Sequence, residues 1–173
     1  IRREENVGGT YNHISFFKDL NDDDILVLIE GDDWFFDDNV LENLNKSYND
    51  NDYWMTYGKF FVYDGVNDVI TEANPQNTPY PDFVHKHKMY RRDAWRASHL
   101  RTYKGFLVKA IDLQDFVSPI NNKLYHHAAD LALAFPCLEM SPVDKIGVMD
   151  FGTHVYNATP RNLSLIHISE PTR

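Results

Sequence analysis

The chain has 173 residues, a formal net charge of −9, and is 43% hydrophobic and 14% aromatic. Those values exclude a disordered chain and allow one domain with a real core, and the negative charge argues against nucleic acid as a general partner. Cys137 is the single cysteine, so no internal disulfide can form, and no apolar run approaches the ~20 residues that a membrane helix needs. The expected location is the cytoplasm, with any membrane association supplied by parts outside this stretch.

Residues 1–9 read as a strand end and a glycine-containing loop. The stretch TYNHISFFKDLND spaces Tyr11, Ile14, Phe17 and Leu20 at helical intervals. After a polar break at Asp22–Asp24, ILVLI is too short for a helix and too apolar for an edge strand. It predicts a central strand covered on both faces. DDNVLENLNKSYND predicts a helix with Val40, Leu41, Leu44 and Tyr48 on one face, capped by Asp37 or Asp38. YWMTYGKFFVYDG predicts a strand turning at Asp64-Gly65.

NPQNTPYP, with three prolines, is a loop. HKHKMYRRDAWRASHLRTYKGFLVKAI predicts a basic loop or strand and then a helix from about Ser98 or Thr102. NNKLYHHAADLALAFPCLEM predicts a helix ending near Pro136. VDKIGVMDFGTHVYNATP predicts one strand or a pair. Strand–helix alternation with acids at a strand's carboxyl end points to an α/β sheet whose ligand site lies at that end.

The chemistry concentrates in ILVLIEGDDWFFDD. Alternate side chains of an extended segment point the same way, so Glu30 and Asp32 can reach one ion together while Asp33 turns to another partner. Hard cations such as Mg²⁺ and Mn²⁺ take carboxylate oxygens, often from one or two carboxylates plus substrate phosphate. A strand end followed by a helix cap accounts for the same residues equally well. In HLRT, Arg101 offers a planar fork suited to phosphate and His99 a ring donor, or Arg101 serves a structural ion pair. Trp34 can stack on a sugar or wall a pocket. HKHKMYRR gathers six basic or potentially basic side chains, which meet a phosphate or form a solvated loop. Cys137 reads as a small buried apolar residue.

Glu30-Gly31-Asp32-Asp33 resembles the metal-binding Asp-x-Asp motif of family 2 glycosyltransferases of the GT-A fold. ENVGGTYNH resembles the loop and helix that precede it. GDDWFFDDNVLENLNKSYNDNDYWMTYGKF, SHLRTYK, AADLALAFPCLEM and HVYNATP resemble later blocks of one branch, in order. The fold implied is a truncated α/β GT-A domain, a Rossmann-like three-layer sandwich with a mixed central sheet, over residues 1–162. The family's first nucleotide-binding strand and helix have no counterpart, so this stretch is expected to be a fragment, inactive alone. The last eleven residues, Leu163–Arg173, resemble a translated sequencing adaptor and are expected to be an artefactual tail.

The resemblance implies an inverting, metal-dependent transfer of a sugar from a UDP- or GDP-sugar to the hydroxyl of a glycan, lipid or protein acceptor. It implies Mn²⁺ or Mg²⁺ on Asp33 and Asp32, with Asp33 the more direct ligand. Donor contacts fall to Asn6, Gly8, Glu30, Asp32, Trp34, His99 and Arg101. Asp130 is the expected base, with His126 and His127 on its helical face, and Glu139 is the reserve. Glu30 departs from the family, which more often has Asp there. Two rivals remain: a metal-dependent nucleotidyl or phosphoryl transferase, which needs no base at Asp130, and a non-catalytic sugar-binding domain.

Overall fold

The computed structural model describes residues 7–73, 77–125 and 128–160. Asn6, His126, His127 and the Leu163–Arg173 tail lie outside the described residues, and so do the expectations placed on them. Helix α1 spans Gly9–Phe17, followed by strands β1 (Ile25–Leu28) and β2 (Trp34–Phe35) and helix α2 (Val40–Asn51). A hairpin of β3 (Met55–Asp64) and β4 (Val69–Glu72) follows, then the short helix α3 (Asp82–His87). Strand β5 (Arg101–Lys104) runs into helix α4 (Gly105–Lys109). Helix α5 (Ala129–Met140) and the long strand β6 (Ile146–Asn157) are the last two main elements among the described residues.

This is a mixed α/β protein. Among the described residues six strands form one mixed, strongly curled sheet, a half-barrel without a clear Rossmann-like order. The order is β1-β5-β3-β6-β2, with β4 also on β3. β3 and β6 run parallel over most of their length, and every other pairing is antiparallel. Register shifts beside Lys59 bend this β3–β6 spine.

The elements follow from where apolar and hydroxyl groups can be buried. In α2, Val40, Leu44 and Tyr48 recur every four residues and are buried. The N-cap of α2 is Asn39, with no side-chain capping bond, rather than the expected Asp37 or Asp38; Asp37 accepts the Asn39 backbone N–H at 2.8 Å in the turn before the helix. Tyr48 delivers its hydroxyl to Thr102, 2.9 Å away, and Thr102 lies 2.6 Å from the hydroxyl of Thr56. This buried chain pins α2 to β5 and β3. The main core joins Phe17, Met55, Tyr57, Tyr90, Tyr103, Phe116, Leu133 and Leu138.

Three further sequence expectations change. The ILVLI run is not central: all four residues of β1 are half-buried, and among the described residues β1 pairs only with β5. The helix expected from Ser98 or Thr102 is a strand first, because Thr102 and Tyr103 pair with Val27 and Leu26 on one side and with Thr56 and Met55 on the other. The helix expected from Asn121 begins only at Ala129, since Leu124 is held in a bridge to Val117. It then runs through Pro136 to Met140. Burial of Leu133, Ala134, Cys137 and Leu138 outweighs the hydrogen bond that the proline forfeits.

Gly105 fixes where β5 ends. Its N–H donates to the Asp24 carbonyl at 2.8 Å, and a Cβ there would strike the Asn21 carbonyl oxygen. Gly105→Ala is expected to cost at least about 2 kcal/mol by urea denaturation, because a backbone atom cannot step aside as a flexible side chain would.

Candidate functional site

β1 ends at Leu28, and the chain then turns through Glu30-Gly31-Asp32-Asp33, with the Asp33 N–H bonded to the Glu30 carbonyl at 3.1 Å. A Cβ on Gly31 would meet nothing, so packing does not require glycine there. Beside this turn lies a cavity of about 60 Å³ lined by His13, Leu28, Ile29, Glu30, His99, Arg101, Asp130 and His154. Five elements build it: α1 gives His13, β1 and its turn give Glu30, β5 and the residues before it give Arg101 and His99, the first turn of α5 gives Asp130, and β6 gives His154.

Arg101 is the cavity's cation. It is buried, donates through Nη1 to Asp130 Oδ2 at 3.2 Å and to the Ala97 carbonyl at 3.4 Å, and lies 5.9 Å from the Trp95 ring centre. Asp130 keeps 41% of its side chain exposed, so one carboxylate is both held and accessible.

Burial shapes the titrating groups around this pair. It drives the His99 imidazole down to about 3, helped by the nearby Arg101 guanidinium and His154. Burial also lowers His13, against the pull of Asp130, and lowers His154, against the hydrogen bond and charge of Asp33. Glu30 is raised, first by burial and then by repulsion from Asp33 and Asp32. The cavity thus has neutral imidazole walls and one guanidinium.

Asp33 points away from the solvent. Its side chain is 0% exposed; Oδ1 accepts the Asn157 backbone N–H at 2.9 Å and Oδ2 lies 2.8 Å from His154 Nε2. A carboxylate accepts only, so the neutral His154 ring carries its proton on Nε2 and leaves Nδ1 a bare acceptor, which has no hydrogen-bond partner. The His154 ring stacks on His99 at 4.7 Å, and His99 stacks on Tyr156 at 5.6 Å. Among the described residues no group of three or more His, Cys, Asp or Glu side chains is arranged to hold a metal ion. Asp33, expected as the direct ligand, is occupied through both oxygens. Glu30 lines the cavity, within reach of the charges of Asp33 and Asp32.

The structure therefore brings together Glu30, His99, Arg101 and Asp130, residues separated by up to 100 positions in the chain. It keeps others apart. Glu139 lies two and a half turns along α5 from Asp130 and is clamped by Arg91 at 2.6 and 3.0 Å. Trp34 pairs with Val155 while its neighbour Phe35 pairs with His154, so the Trp34 ring is on the other face of the sheet, against Tyr63. Gly8 stands at the start of α1 with a positive φ of 82. His85, one of an alternating histidine pair, is 2.8 Å from the Tyr90 hydroxyl. Sequence reasoning missed His13, His154 and Asn157 as individual residues. The only signal for them was that TYNH and HVYN fell inside blocks of the family resemblance. No family model matches this chain, and no curated protein matches it.

The lowered histidines set a pH dependence. A histidine depressed in the fold takes up its proton more readily unfolded, so it stabilises above the ordinary value of 6.5 and that stability is lost as pH falls. The urea midpoint is expected to decline as pH drops through 6.5 and onward toward 3, and His99→Gln to flatten that decline. Glu30 acts in the opposite sense, losing stability as pH rises through its ordinary 4.5.

Proposed function

We propose that the chain carries the transfer site of a GT-A glycosyltransferase of the family 2 type. It moves a sugar from a nucleotide-diphospho-sugar, a UDP- or GDP-sugar, to an acceptor hydroxyl with inversion. The observation that carries the reading is the convergence of Glu30 and Asp130 on one cavity with Arg101 between them. The acidic turn and the expected base lie 100 positions apart in the chain.

In this reading Asp130 accepts the proton of the acceptor hydroxyl as it attacks the anomeric carbon. Arg101, expected to touch the donor, instead orients the base through its Nη1 contact. His99 and His154, lowered by burial, form an uncharged wall beside the Arg101–Asp130 pair. Asp32 with Glu30 would hold Mn²⁺ or Mg²⁺, which when bound neutralises charge building on the leaving diphosphate. Asp33 positions those two by fastening the turn to β6. A cavity of about 60 Å³ holds a few waters rather than a hexose, so the sugar would lie across its mouth.

The buried, fully engaged Asp33 favours a second reading, a sugar-binding domain without turnover. Transfer assays of the full-length protein over a panel of UDP- and GDP-sugars, with calorimetry of donor binding, separate the two. Asp130→Asn is expected to lower turnover at least about 100-fold while donor affinity stays within error. Chelation of divalent ions is expected to weaken donor binding. Near-normal turnover of the variant would remove Asp130 from the base role, and metal-independent binding with no turnover would favour the second reading.

A further inference from the structure

The basic stretch HKHKMYRR lies outside the cavity and takes no part in the chemistry above. It folds as the end of α3 and a tight helical turn, Tyr90–Arg92, and it presents Lys86, His87, Lys88, Arg91 and Arg92 on the surface. Two of these cations are engaged: Lys88 donates to the Ser141 carbonyl at 2.8 Å, and Arg91 clamps Glu139. Lys86 and Arg92 form no ion pair among the described residues.

Apolar side chains stand exposed beside them. Phe83 is 60% exposed and packs its ring against His87 at 4.6 Å. The Lys88–Ser141 bond brings in the end of α5 and the following turn, where Met140 is 37% and Val143 55% exposed. Carboxylates are present too. Asp82 opens α3, Asp144 follows Val143, and Glu139 is already neutralised by Arg91. Lys86, Lys88, Arg91 and Arg92 against Asp82, Glu139 and Asp144 leave this surface one net positive charge, in a chain whose net charge is −9.

We propose that this surface, Phe83 to Arg92 with Met140 and Val143, docks the protein on an anionic lipid bilayer. A soluble polyanion would be met by the cations alone and gives no role to three exposed apolar side chains. A bilayer surface meets both, with Phe83, Val143 and Met140 entering the headgroup–acyl boundary and Lys86 and Arg92 reaching the lipid phosphates and carboxylates. No helix among the described residues is long and apolar enough to cross a membrane, so the contact is peripheral. The inference does not rest on the glycosyltransferase reading.

The test is co-sedimentation of the chain with vesicles of phosphatidylcholine alone and of phosphatidylcholine with phosphatidylserine at about three to one. Binding is expected only to the anionic vesicles and is expected to weaken several-fold on raising the salt from about 0.1 to about 0.5 M. Lys86→Ala with Arg92→Ala is expected to lower the partition coefficient at least about tenfold. Phe83→Ser is expected to lower it several-fold without changing the salt dependence. Phe83→Trp provides a second readout, an emission blue-shift on anionic vesicles. Equal binding to both vesicles, binding unaffected by the double alanine variant, or retention on heparin without vesicle binding would each overturn the proposal.

Discussion

Asp33 is a carboxylate sealed inside the protein and satisfied by two N–H donors from one strand. Its Oδ1 takes the backbone N–H of Asn157 and its Oδ2 the ring of His154. A buried charge without partners is costly, whereas one that accepts hydrogen bonds on both oxygens fixes whatever carries it. Here it carries the turn after β1 and binds that turn to β6, the far side of the β3–β6 spine. The Asn157 side chain adds a contact to the Asp32 carbonyl at 3.3 Å. Glu30 and His154 face the same cavity because this link brings their two strands together. The arrangement also divides the acidic motif: Asp33 belongs to the scaffold, while Glu30 and Asp32 are held at its edge.

The electrostatics of the cavity follow from the same enclosure. Burial disfavours charge on His13, His99 and His154, and the Arg101 guanidinium nearby pushes each of them the same way. One cation, Arg101, therefore meets carboxylates of different standing. Asp130 touches it directly and stays half-open to solvent, and Glu30 feels it at longer range while repelled by its own motif. A group that must move a proton needs both a fixed orientation and access. Among the carboxylates around this cavity, Asp130 combines them.

Helix α5 runs between the cavity and the basic surface. Its first turn holds Asp130 at the cavity, and its last turn holds Glu139 and Met140 beside the basic patch, about 14 Å away along the axis. Its middle is core, with Leu133, Ala134, Cys137 and Leu138 buried. A protein seated on a bilayer through Phe83 and Lys86 would thus hold its cavity within one helix length of the lipid surface.

Much of the secondary structure is legible in the chain because it depends on local spacing. The four-residue recurrence of Val40, Leu44 and Tyr48 and the strand ending at the Asp64-Gly65 turn read correctly, whereas Leu41, expected on the same helix face, is 51% exposed. Where partners are distant, reading along the chain fails. β5 is a strand because Val27 and Met55 flank it, and ILVLI stands at the end of the described sheet because pairing, not hydrophobicity, decides strand order. The candidate site divides in the same way. Side-chain type, a local property, marked Glu30, Asp32, His99 and Arg101 as chemically able, and Asp130 was marked by the family resemblance alone. Only the tertiary structure decided that Arg101 belongs to Asp130, that Glu139 belongs to Arg91, and that Asp33 is turned inward to His154. Those pairings span 29, 48 and 121 positions, and no short-range pattern encodes contacts at such separations.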